Sequence, residues 1–246
     1  MSTFTFKGVT SDSLGLIITR PMVRPTWAPE VEFTPIIGRP RQNPFTKSWY
    51  PNSRMTVQAV IADASTASVR AIYNALRGYG TLVISTASTE YMNAYARLPV
   101  PEPQALLMAE LPIEFDCEPF AYALNESSVD ITSATSAYTE VENTGTAFVD
   151  PQISFIASAA STTIDCNGAV LTVTTPTEIV NASYPDTYSI TIDCDAQLAY
   201  YTKPDTNVVA CTELTSGPFQ RLHTGSNWMT HSAAASMYVS YRERWY

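Results

Sequence analysis

Positive charge is scarce in this chain. Lys and Arg total 14 against 23 Asp and Glu, and charged residues make up only 15% of the 246. Through Asn125 ten basic residues balance ten acidic ones. From Glu126 onward four basic residues face thirteen acidic, so the whole net charge of −9 lies in the second half. That step marks a boundary near residue 125, and it excludes the second half as a grip on nucleic acid, whose phosphates need cationic partners. Histidine is scarcer still, with only His223 and His231, and no G-x-S-x-G, H-E-x-x-H or P-loop pattern occurs. The four cysteines lack any C-x-x-C spacing and read as small buried apolar residues rather than ligands or disulfides. The carboxylate pairs Glu140/Glu142 and Asp193/Asp195 read as solvated strand faces. Neither an enzyme nor a bound metal or cofactor is expected. No apolar run reaches the roughly 18 residues of a membrane span. The start, MSTFTFKGVTSDSLGLIITRP, has no charged segment before an apolar core, so a signal peptide is not expected and synthesis in a cytoplasm is.

What is present is strand alternation and turn chemistry. FTFKGVTSDSLGLIIT alternates as a strand, a Gly turn and a second strand, and SRMTVQAVIA resumes that period. One helix is predicted in DASTASVRAIYNALRGYG, where Val69, Ile72, Tyr73 and Leu76 share a face. Ser65 or Thr66 caps its start, and Gly78 or Gly80 ends it. The expectation for residues 1–125 is an α+β domain, a β-sheet with one helix. Past Asn125 helical periodicity vanishes and short strands recur between turns, so residues 126–246 are expected to form an all-β sandwich.

Thr-Ile-Asp-Cys occurs twice, at 163–166 and 191–194. Alternation sends Cys166 and Cys194 inward and the aspartates outward, so the four side chains diverge and cannot converge on a metal. Asn167-Gly168 after the first copy is a type I′ hairpin signal. The two tetrapeptides read as neighbouring strand ends, which is architecture and not chemistry.

Two stretches carry candidate binding residues. From Pro21 to Pro51 prolines, arginines and aromatics mix, and the prolines point to a protruding loop or edge hairpin at about 21–55 rather than core. Arg39, Arg41, Phe45, Trp49 and Tyr50 there admit three readings: a nucleic-acid groove, a solvated loop, or an arm that anchors on a neighbouring subunit. The last is preferred, because Trp, Tyr and Arg favour interface anchors. Trp228 with His223, Asn227 and His231 is a second candidate, a platform on which a sugar ring stacks beside polar side chains.

The order of these segments resembles the distal tail proteins of long, flexible-tailed bacteriophages over nearly the whole chain. The residues that carry the resemblance are FTFKGVTSDSLGLIIT at the start, IIGRPRQ in the hairpin, EYMNAYARL, and LPIEFDCEPFAY at the end of the first domain. In the second half they are NTGTAFVDPQISFIAS, TTIDCNG, YSITIDCDAQLAYY, LTSGPFQRLHTGSNWM and YVSYRERWY. Pro40 and Pro218 stand where the family pattern has acidic residues. The resemblance implies a galectin-like second domain and a structural role without catalysis. It further implies a hexameric ring at the virion tail tip, with the hairpin lapping the next subunit as a belt. The implied partners are the tail-tube protein, the tail-tip hub protein and receptor-binding proteins, with DNA passing the lumen unbound and no membrane insertion. The alternative is a carbohydrate-binding module for host recognition.

Overall fold

The computed structural model describes residues 2–34, 43–46, 50–63, 65–99, 102–105, 108–131, 138–185, 188–203 and 207–246. The chain is β-rich and forms two compact units, Met1–Leu124 together with Tyr246, and Asn125–Trp245.

In the first unit a sheet runs in the spatial order Val9–Thr10, Phe4–Phe6, Gly78–Ile84, Ala87–Arg97, Met108–Cys117, Ser53–Ile61, Leu16–Ile18. Its spine is the antiparallel pairing of Met108–Cys117 with Ser53–Ile61, in register from Ala109↔Ile61 to Cys117↔Ser53. Successive side chains alternate faces. Met55, Val57, Ala59 and Ile61 are therefore buried with Leu111, Ile113, Phe115 and Cys117. The rings of Phe4 and Phe6 lie 5.6 and 5.3 Å from that of Phe115, the first edge-on.

The predicted helix is α1, Thr66–Leu76. The Ser65 hydroxyl accepts from the Ser68 amide at 3.3 Å, and Ile72 and Leu76 are its buried residues. Gly78 follows with φ of 97°, the left-handed region that the sequence assigns to a glycine there.

Prolines notwithstanding, residues 21–30 do not protrude. Met22 and Trp27 are in the first core, the Met22 carbonyl accepts from Thr86 Oγ1 at 3.2 Å, and Arg24 pairs with Glu90. The hairpin proper is Val31–Thr34 with Asn43–Thr46, and Ser53–Ile61 already belongs to the central sheet. The span 21–55 is thus too wide at both ends. An extended segment with Pro needs no ladder partners, so it can lie over a core without being a strand.

The second unit has two antiparallel sheets. One runs Ser127–Asp130, Ala234–Tyr241, Gln152–Ala157, Ser189–Asp193, Leu198–Thr202, Val208–Ala210. The other runs Thr139–Asn143, Gly225–His231, Ser161–Cys166, Ala169–Thr174, Thr215–Ser216. Val141, Ile164, Leu171 and Met229 from the second share one core with Ile153, Phe155, Ile190 and Val239 from the first.

The two Thr-Ile-Asp-Cys strands are not neighbours. They lie in opposite sheets, and Cys166 and Cys194 enter the common core from either side. Asn167 and Gly168 have φ of 53° and 86°, and Cys166 pairs with Ala169, which is the hairpin the Asn-Gly pair demands. Each aspartate closes the turn after it: Asp165 Oδ1 accepts from the Gly168 amide at 2.7 Å, and Asp193 Oδ1 from that of Ala196 at 2.9 Å. A five-residue helix, Thr177–Asn181, departs from the all-strand expectation. A single turn is too short to show a 3.6-residue period.

Phe115→Ala removes the ring on which both N-terminal phenylalanines pack. We expect a loss of about 3–5 kcal/mol, read from the shift of a urea unfolding midpoint at constant slope. A loss below about 1 kcal/mol would contradict this placement of the core.

Candidate functional surfaces

The strand Gly225–His231 decides the second candidate site, because its pleat divides the four residues. Asn227 is buried at 0% exposure and His231 at 5%, whereas Trp228 between them is 48% exposed and His223 lies exposed in the preceding loop. Asn227 is spent internally. Its Oδ1 accepts from the His223 amide at 2.8 Å and from Asn167 Nδ2 at 3.0 Å. Its Nδ2 donates to the carbonyls of His223 at 2.8 Å, Gly225 at 2.9 Å and Val141 at 3.3 Å. His231 Nε2 lies 3.0 Å from the Ile131 carbonyl. A four-residue glycan platform therefore does not assemble. On the strand itself Trp228 faces outward, in register with Glu140 on the adjoining strand. Glu140 accepts from Ser226 Oγ at 2.5 Å.

Of the arm residues, Arg39, Arg41 and Trp49 lie outside the described residues. Phe45 sits on the hairpin strand Asn43–Thr46, in register with Glu32. Tyr50 is half-buried, its ring 5.1 Å from that of Tyr246 and 5.1 Å from that of Phe120. Arg54 belongs to the sheet. It reaches Asp116 at 3.3 Å and Glu114 at 3.5 Å, and Arg97 meets Asp116 at 2.5 Å.

Sequence reasoning passed over the outward face of the first sheet. Tyr91 and Tyr122 stack at 5.5 Å, and Tyr79 pairs across strands with Tyr95, both about half exposed. The signal was available in EYMNAYAR, where both tyrosines fall on the polar phase of the strand.

Chemistry is sparse. Among the described residues no group of His, Cys, Asp or Glu could hold a metal ion. Asp195 is paired with Arg244 at 3.3 Å, and Asp150 binds Arg221 at 2.8 Å and Arg244 at 3.3 Å. Burial pushes the thiols of Cys117 and Cys194 up to about 12, and those of Cys166 and Cys211 up to about 11. A thiol held neutral is a poor nucleophile.

Similarity in three dimensions spans the whole chain. The crystal structure of SPP1 Dit (gp 19.1), described as a paradigm of the hub adsorption apparatus in phages that infect Gram-positive bacteria, covers 99% of this chain and 99% of its own. The TM-score is 0.79 and the identity 16%. The chain has the fold of that phage protein. A structure of A. japonicus CB05 covers 77% of this chain and 40% of its own at a TM-score of 0.20 and 9% identity, a level that carries no argument. No family model matches, and no curated protein matches by sequence.

Two outcomes follow from this geometry. Asn227→Ala strands the His223 amide and the Val141 carbonyl and should cost about 2 kcal/mol or more. Trp228→Ala should stay within about 0.5 kcal/mol. Urea unfolding of both variants checks the contrast, and equal losses would refute it. The thiols should not react with Ellman's reagent in the native protein at pH 8. In the unfolded chain they lose protons near the ordinary 9.0, while the folded chain holds them to about 11–12. The unfolded state then binds fewer protons, so stability should fall as pH rises from 9 to 12. A thiol that reacts rapidly in the native state would contradict the burial.

Proposed function

We propose that this protein is a structural component of a phage tail tip, a member of the distal tail protein family. In this reading six copies close a ring between the tail tube and the tail-tip hub, and DNA passes through the centre. The observation that carries it is the fold match with SPP1 Dit along 99% of both chains at a TM-score of 0.79. A match that takes in both units and their order is harder to reach by chance than one confined to a common sandwich.

The α+β first domain, expected at 1–125, builds the ring. The segment that holds the hairpin strands Val31–Thr34 and Asn43–Thr46, with Arg39, Arg41, Phe45, Trp49 and Tyr50 in its sequence, is the belt that grips the adjacent subunit. The second unit, 126–246, is the galectin-like sandwich, facing outward toward receptor-binding proteins. Pro/Arg/aromatic composition supports the belt, since such residues anchor interfaces. The even charge of residues 1–125, ten basic against ten acidic, supports a lumen that does not trap DNA, because a polyanion gains affinity only where cations release its counterions. The protein is made in the host cytoplasm and resides in the virion.

One observation favours a second reading, a carbohydrate-binding role for the second unit: Trp228 leaves half its surface open beside Glu140. Neither Asn227 nor His231 supports it, since both are enclosed.

Light scattering on the purified protein separates the two. The ring requires six times 27.0 kDa, about 162 kDa. A monomer of 27.0 kDa that persists as concentration rises would contradict the ring and favour the carbohydrate reading.

A further inference from the structure

A cavity of about 690 Å3 opens in the first unit beside the C-terminal end of α1, lined among others by Tyr73, Arg77, Tyr95, Arg97 and Leu98. Its walls are fixed. Tyr73 donates its hydroxyl hydrogen bond to the Pro99 carbonyl, and Leu98 packs against the first core. Tyr95 is 49% exposed and presents its ring on the outward phase of Ala87–Arg97.

The charges at the cavity do not balance. Arg54 and Arg97 are matched by Glu114 and Asp116, two cations by two anions. Arg77 is exposed, and among the described residues nothing pairs with its guanidinium. The carbonyl end of a helix ordinarily repels an anion. Here Lys7 Nζ donates to the Arg77 carbonyl at 3.1 Å and offsets that effect. One planar guanidinium is thus left free at the mouth of a cavity with aromatic and aliphatic walls.

We infer that this cavity docks a short segment of a partner protein, one acidic residue flanked by apolar residues. The carboxylate sits on the Arg77 fork, whose geometry accepts two parallel hydrogen bonds. The apolar neighbours lie against Tyr73, Tyr95 and Leu98. A nucleic acid or polyphosphate is the poorer fit. Repeated phosphates need several cations, whereas Arg97, the other guanidinium at the cavity, is held by Asp116 and Lys7 is turned onto the Arg77 carbonyl. The site's chemistry is independent of the tail-tip reading.

The test uses the full chain and a tetramethylrhodamine-labelled peptide with an amidated C-terminus, Ala-Leu-Glu-Phe-Ala, with Ala-Leu-Gln-Phe-Ala as the counterpart that lacks the side-chain carboxylate, followed by fluorescence anisotropy at low salt. We expect saturable binding of the Glu peptide, weakened roughly tenfold or more by the Gln peptide or by Arg77→Ala. Arg77→Lys, which keeps the charge and loses the fork, should fall between. Arg77 is exposed at the helix end and contributes only backbone there, so thermal melts of the variants should superimpose on that of the parent protein. Three results would overturn the inference: no saturable binding, equal binding of the two peptides, or indifference to Arg77→Ala. Displacement of the peptide by inorganic phosphate at equal concentration would overturn it too, in favour of a general anion site.

Discussion

Each of the three large sheets in this protein must keep one face dry, and nearly every other feature depends on that constraint. The pleat sends successive side chains to opposite sides, so a strand such as Ser53–Ile61 commits Met55, Val57, Ala59 and Ile61 to the core and leaves Arg54, Thr56 and Gln58 outside. A one-residue slip would exchange the two sets. Register is therefore held by burial across the nine paired positions of Met108–Cys117 and Ser53–Ile61. The second unit obeys the same rule from two sheets, whose inner faces meet in one core. The outward phase carries Tyr95, Arg97 and Trp228.

Much of the local structure was legible in the sequence because it depends on neighbours along the chain. The helix announced itself through Val69, Ile72 and Leu76 and the Ser65 cap, and the Asn167-Gly168 hairpin through two positions that need positive φ. What escaped depends on partners far along the chain. Alternation says which way Cys166 and Cys194 point but not which strands lie beside them, and they belong to different sheets. Trp27 reads as loop because prolines surround it, yet its ring finds the core from an extended segment. Asn227 looks like a candidate ligand until its five hydrogen-bond partners are seen, three of them within four residues of it and two contributed by other strands or turns. The candidate platform failed for the simplest reason, that adjacent strand residues cannot share a face.

An identity of 16% alongside a TM-score of 0.79 shows how a fold tolerates replacement of its residues. Cores accept many hydrophobic sets when pattern and volume are kept. Fold alone does not assign function, and the assignment made above leans on a match that includes both units in order. The fold match does not bear on the charge imbalance, the aromatic outward face of the first sheet or the unmatched Arg77.

The most direct test of the tail-tip assignment is electron cryo-microscopy of the tail tip in virions that contain this protein. The account predicts six copies around an open channel at the end of the tail tube, each fitted by the two units described here. Density for this chain elsewhere in the particle, or at the tip without sixfold closure, would contradict it.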